Sequence, residues 1–154
     1  MEIMKDIFSN QILLAAFIAW LLAQIIKVPL EFLQTRRWNW ALLLSTGGMP
    51  SSHSALVSAM AQGVGLHEGF DSSLFAIVFV LTAIVVYDAT GIRRQAGLHA
   101  ELINAFINDL AAGHPIKEAQ QKELKEILGH TPVEAISGVI WGMGFATLFW
   151  WMWN

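Results

Sequence analysis

Residues 38–66, WNWALLLSTGGMPSSHSALVSAMAQGVGL, run for 29 positions without a formal charge and are broken in the middle by Gly47-Gly48-Met49-Pro50-Ser51-Ser52. Gly-Gly and Pro stop a helix, and Ser51 or Ser52 can cap a new one. The second piece, residues 53–66, spans 14 positions. As a helix it is about 21 Å long, short of a hydrocarbon core of about 30 Å. It therefore either starts below the near membrane surface or continues through Glu68. Irregular backbone at membrane depth is tolerated only where protein or a wet cavity surrounds it, which makes the break a candidate site. The plainer alternative is a loop between two helices.

Three more charge-free stretches flank this one: residues 7–26 (20 positions), 72–87 (16) and 135–154 (20). A crossing helix needs about 20 mostly apolar residues, so the 16-residue stretch requires Asp71 and Asp88 at its water-facing ends. The expected architecture is all-α: a polytopic membrane bundle of about four crossings, one domain over residues 1–154. It includes the broken or re-entrant helix and a polar connection at 88–131 carrying amphipathic helices. Composition agrees, with 55% hydrophobic and 14% charged residues, where a soluble domain carries roughly 25% charged. Buried helices of a soluble bundle would need a polar shell this chain lacks, and disorder is excluded. The absence of cysteine excludes disulfides, Cys-ligated zinc, iron–sulfur clusters and thiol catalysis. A net charge of −3 offers no general attraction for nucleic acid.

The N-terminus lacks the pattern of a cleaved signal, since Lys5 is its only basic residue and no Ala-x-Ala follows the apolar run; it is expected to stay as the first crossing. Trp141, Trp150, Trp151 and Trp153 suit an aromatic belt at the other end. Lys27, Arg36 and Arg37 flank the first connection, and Arg93, Arg94, Lys117, Lys122 and Lys125 crowd the long one. The positive-inside rule makes that side cytoplasmic, in an inner or plasma membrane. Within the long connection, Leu98, Leu102, Ile103, Phe106 and Leu110 recur at helical spacing until Gly113-His114-Pro115. A second helix is expected over 116–128, stopped by Gly129, with Glu118, Lys122 and Glu126 at i,i+4 spacing. Both helices are expected to lie on the membrane surface or to cover the site.

Three polar clusters stand where the chain enters or leaves the membrane on that side: Pro50-Ser51-Ser52-His53, Asp88-Ala89-Thr90-Gly91-Ile92-Arg93-Arg94, and Gly129-His130-Thr131-Pro132-Val133-Glu134. Arginine forks and helix N-termini bind phosphate oxygens. A histidine beside them can attack phosphorus or protonate a leaving oxygen. His130 and Glu134 lie four apart, one above the other on a helix, so the carboxylate can hold the imidazole. Each piece also has a plainer reading. Thr131 to Glu134 forms a capping box with proline at the first helical position, Arg93 and Arg94 can anchor to anionic headgroups, and His67 and His114 suit turns. His99 is a second-rank alternative nucleophile.

Residues 47–55 (GGMPSSHSA), 88–97 (DATGIRRQAG) and 128–134 (LGHTPVE) together resemble the divergent branch of the type 2 phosphatidic acid phosphatase family, also described as acid phosphatase/vanadium-dependent haloperoxidase-related. The resemblance covers nearly the whole chain, in order. The wider superfamily has a Lys-x6-Arg-Pro, a Pro-Ser-Gly-His and a Ser-Arg-x5-His-x3-Asp motif. It forms a phosphohistidine on the third-motif histidine without a metal, while the second-motif histidine acts as general acid. By this resemblance, Ser52 and His53 match the second motif, with serine replacing glycine. His130 and Glu134 match the end of the third, with glutamate replacing aspartate. Leu124 stands where the third-motif arginine would be. Lys27 is followed by Arg36 and Arg37 at a different spacing and without proline.

The resemblance implies a lipid phosphate or pyrophosphate phosphatase at the membrane interface, needing no cofactor or metal. His130 is the expected nucleophile, Glu134 its orienting carboxylate and His53 the acid. Arg93, Arg94, Ser52 and Lys27 would bind phosphate, with Asp88, Ser51 and Thr131 in support. The alternative is a non-catalytic membrane protein that binds anionic headgroups or a partner through the same arginines. A metal site built from Asp88, His130 and Glu134 is the third. Membrane lipids are the expected partners and nucleic acid is not; Gly138, Gly142 and Gly144 permit close helix packing, which leaves oligomeric state open.

Overall fold

The computed structural model describes residues 2–45, 47–91, 99–100, 102–104, 106–107 and 130–153, and every regular element among them is helical. Helix α1 (Glu2–Ser9) leads into α2 (Gln11–Thr35), whose first turn is capped by the Asn10 side chain accepting from Leu13 N–H at 3.0 Å. A short 3-10 helix (Trp40–Leu44) precedes α3 (Ser52–Glu68), and α4 (Ser73–Thr90) and α5 (Pro132–Trp153) complete the bundle.

Three helices, α2, α4 and α5, are long and apolar enough to cross a membrane. Their large apolar side chains point outward: Phe17, Leu21, Ile25, Ile77, Phe79, Ile84, Ile136 and Ile140 are all exposed. Such a surface suits a lipid surround. The interior is instead built of small residues, among them Ala16, Ala19, Ala59 and Ala146, which let helix backbones approach closely.

The fourth expected crossing is α3, and it is the hub, packed against α2, α4 and α5. Ser51, not Ser52, caps it, accepting from Ser54 N–H at 3.3 Å. It continues through Glu68 for 17 residues, about 26 Å, and its buried face is Ser54, Ala55, Ser58, Ala59 and Gly63. It is thus both shorter and less apolar than the three lipid-facing helices. Contacts between α3 and α5 step forward together along both helices, from Ser51 with Glu134 to Ser58 with Val139 and Gln62 with Thr147, so these helices run parallel. Against α2 and α4 the contacts run in opposite directions, Gly63 facing Ile12 and Val57 receiving the Thr82 hydroxyl at 3.0 Å.

Two expectations are corrected. The first crossing is residues 11–35 rather than 7–26, and Lys27 lies inside it, 1% exposed, instead of flanking the connection. A charge ended the stretch in the sequence, but here its ammonium donates to Gln24 Oε1 at 2.9 Å and stays in the helix. Trp141 does not belong to an end belt: its indole N–H donates to Ala19 O at 3.1 Å, which locks α5 to α2. Trp151 and Trp153 are exposed at the α5 end, while Phe32, Trp38 and Trp40 stack at the opposite end with centroids 4.4 and 5.5 Å apart.

The expected re-entrant segment follows α2, which ends with Arg36 in the left-handed conformation, its N–H donating to Phe32 O at 2.8 Å. The chain then comes back toward the bundle. Gly48, at φ +88°, lies against the Lys27 stem, where a Cβ would stand 3.6 Å from Lys27 Cδ. Lys27 is eight residues before Thr35, so α3 starts about 12 Å below the end of α2.

Candidate functional site

The N-termini of α3 and α5 and the C-terminus of α4 meet at one end of the bundle, and backbone bonds join them. Ser51 N–H donates to Glu134 O at 2.9 Å, and His130 N–H donates to Ala89 O at 2.9 Å. The described parts of the three polar clusters, around Ser51, Ala89 and His130, are therefore in contact through these bonds. The approach depends on Gly138, because any Cβ there would collide with the Ser51 carbonyl and the Ser54 side chain.

Within this junction His130 is 3% exposed, and its Nδ1 lies 3.2 Å from Glu134 Oε2. A carboxylate only accepts, so Nδ1 carries the hydrogen and the neutral ring keeps its lone pair on Nε2. The same Oε2 accepts Thr131 N–H at 3.0 Å, while Glu134 N–H donates to Thr131 Oγ1 at 3.3 Å. Capping and imidazole orientation, weighed as alternatives in the sequence, are both performed by Glu134. Burial holds the His130 imidazole below the ordinary histidine value; Glu134 pulls it back up, and Lys27 and His53 push it further down. His53 and Lys27 are thus within electrostatic reach of His130, and Lys27 within reach of Glu134.

The remaining expected residues divide. His53 sits in the first turn of α3 and is exposed; Ser52 beside it is buried. The Ser51 hydroxyl is occupied in structural work, accepting from the Ser54 N–H and hydroxyl at 3.3 and 3.0 Å. Asp88 is half-buried in the last turn of α4. Arg93 and Arg94 lie outside the described residues, as do the arginine-bearing turn and the helix expected over 116–128. His99 is exposed on a helical stretch where Ala100 and Asn104 are buried while Leu102 and Phe106 are 68% and 64% exposed. Leu102, Ile103 and Phe106 face away from the bundle, as a surface helix in a membrane would place them. His67 is exposed at the far end of α3, away from the junction. Among the described residues no three His, Asp or Glu side chains gather closely enough to hold a metal ion.

Sequence reasoning missed Gln24. It is buried in α2, donating from Nε2 to the carbonyls of Leu42, Leu43 and Ser45 at 3.1, 2.9 and 3.0 Å. The signal was present: a glutamine inside an apolar span is a functional hypothesis in its own right. Asn104, also buried, was missed because the apolar periodicity around it reads as a surface helix.

The family model described as Divergent PAP2 family matches residues 8–145. A protein of Bacillus subtilis (strain 168) described as an uncharacterized membrane protein, YuiD, is 44% identical over 146 residues, covering 90% of this chain and 92% of its own length. No solved structure matches the chain significantly.

Proposed function

This chain belongs to the divergent PAP2 family, and from that premise we propose that it is a membrane-embedded phosphatase for a lipid phosphate or diphosphate, working through a phosphohistidine on His130. The observation that carries the reading is the Nδ1 to Oε2 contact of His130 with Glu134, which leaves Nε2 as the nucleophilic atom. Its lone pair attacks phosphorus as the bond to the leaving oxygen breaks, and His53 gives that oxygen its proton. In the second step His53 takes a proton from water, whose oxygen attacks phosphorus. The P–N bond breaks, and phosphate leaves.

Lys27 contributes a fixed positive charge in a low-dielectric setting, where it stabilises charge developing on the phosphoryl oxygens. The parallel N-termini of α3 and α5 add the positive ends of two helix dipoles. Arg93 and Arg94 complete the clamp in this reading, and the site faces the cytoplasm. A burial depth of about 12 Å below the end of α2 suits a substrate whose headgroup is delivered from the bilayer rather than from water.

The test is phosphate release from lipid phosphates by the full chain in detergent. Wild type turns over, and His130→Ala does not; orthovanadate inhibits by imitating the transition state. Equal release by His130→Ala overturns the assignment. Headgroup binding without turnover, surviving both His53→Ala and His130→Ala, identifies a non-catalytic lipid-binding protein instead.

A further inference from the structure

We propose that Gln24 is a positioning residue: it aims the Lys27 ammonium at the His130 and Glu134 cluster and ties that ammonium to the segment leading into α3. The inference rests on the phosphatase reading and adds to it a residue with no counterpart in the motifs. Its basis is the geometry of one buried amide. Gln24 Nε2 faces three carbonyl oxygens, those of Leu42, Leu43 and Ser45, between 2.9 and 3.1 Å. Gln24 Oε1 faces Lys27 Nζ at 2.9 Å.

These partners permit only one orientation of the amide. Carbonyls only accept and an ammonium only donates, so a flipped amide would set oxygen against three oxygens and NH2 against NH3+. The carbonyls belong to the end of the 3-10 helix and the residue after it; Leu42 O also accepts Ser45 N–H at 3.1 Å, while those of Leu43 and Ser45 lie where a helix end leaves carbonyls without partners. One side chain therefore serves the returning segment with its two N–H donors and fixes the lysine with its oxygen. Gly48 closes the other side by letting that segment lie on the Lys27 stem. The ammonium cannot swing without breaking a charge-assisted bond, and the segment cannot shift without moving the amide.

The inference is tested with orthovanadate binding to the full chain in detergent, measured by calorimetry on wild type, Gln24→Met, Lys27→Met and the double variant. Gln24→Met keeps the length of the side chain and removes both hydrogen-bonding ends. Affinity is expected to fall on the order of tenfold, as for a lost charge-assisted contact and a displaced charge. In the Lys27→Met background the same change is expected to have no further effect, since Gln24 acts through Lys27. Gln24→Asn keeps the amide on a shorter arm; it decides the matter where Gln24→Met fails to fold, and its smaller loss is likewise expected to vanish without Lys27. Wild-type affinity in both Gln24 variants, or losses that multiply in the double variants, overturns the inference alone. A wild type that binds no vanadate overturns the phosphatase reading and this inference with it.

Discussion

The imidazole of His130 and the carboxylate of Glu134 meet across one helical turn at 3.2 Å, and the oxygen that holds the ring is the one that accepts Thr131 N–H at 3.0 Å. One carboxylate oxygen thus anchors both the start of α5 and the orientation of the histidine. Stability and chemistry are coupled at a single atom, and substitutions can separate them.

Glu134→Gln keeps an oxygen that caps the helix but removes the negative charge that fixes the ring tautomer and supports a positive imidazole. Phosphate release is expected to fall by about a hundredfold or more, as for loss of an orienting carboxylate, with little change in the thermal midpoint. Glu134→Ala should also lose the cap, about 1 kcal/mol. Turnover and thermal unfolding, measured together on the two variants, check this separation.

Acid should loosen the fold through His130. Burial depresses its folded value below the ordinary 6.5, against the pull of Glu134 and with the push of Lys27 and His53. The unfolded chain then binds this proton more readily than the folded one, so stability rises with pH in that window. The contribution is complete above about pH 6.5 and declines as pH falls from there toward the folded value. His130→Gln removes the titrating group, and its midpoint between pH 7 and pH 5 is expected to fall less than that of wild type.

Gly138 and Gly144 should respond in opposite ways to the same added methyl group. At Gly138 a Cβ would stand 2.9 Å from Ser54 Cβ and collide with the Ser51 carbonyl, whereas at Gly144 nothing lies within 4 Å. Gly138→Ala is expected to destabilise by about 1–3 kcal/mol through overpacking, and to reduce turnover because the Ser51 to Glu134 bond parts. Gly144→Ala is expected to be neutral or slightly stabilising, since alanine favours a helix over glycine. Thermal unfolding in detergent distinguishes them.

Sidedness can be read directly because the chain has no cysteine. A single cysteine at Asn39 and another at Phe70 sit at opposite ends of the bundle. A membrane-impermeant maleimide applied to intact cells is expected to label Phe70→Cys and spare Asn39→Cys, following the positive-inside rule. The reverse labelling would place the site outside.

The clusters around Ser51, Asp88 and His130 were legible because polar residues at the ends of apolar stretches have few reasons to be there. The Gly-Gly-Met-Pro break was legible too, since backbone propensity is local. Lys27 was misplaced because a charge count treats every charge as a boundary; the Gln24 partner three residues earlier on the same helix was a local signal that the count ignored. Trp141 was misplaced for a different reason: an indole reads as an interfacial anchor until its partner, the Ala19 carbonyl, is known to be 122 residues away. That α3 and α5 run parallel was implicit in placing both of their N-terminal clusters on one side; that they pack directly on each other was not, because it depends on which glycines face which carbonyls.

The bond from His130 N–H to Ala89 O pinches together the two ends of the longest connection. Residues 92–129 leave and return through one point, so the bundle closes without requiring any particular length there. Loop closure entropy grows slowly, about 0.6 kcal/mol per doubling, so the length of this connection weighs little on the frame that holds the histidines.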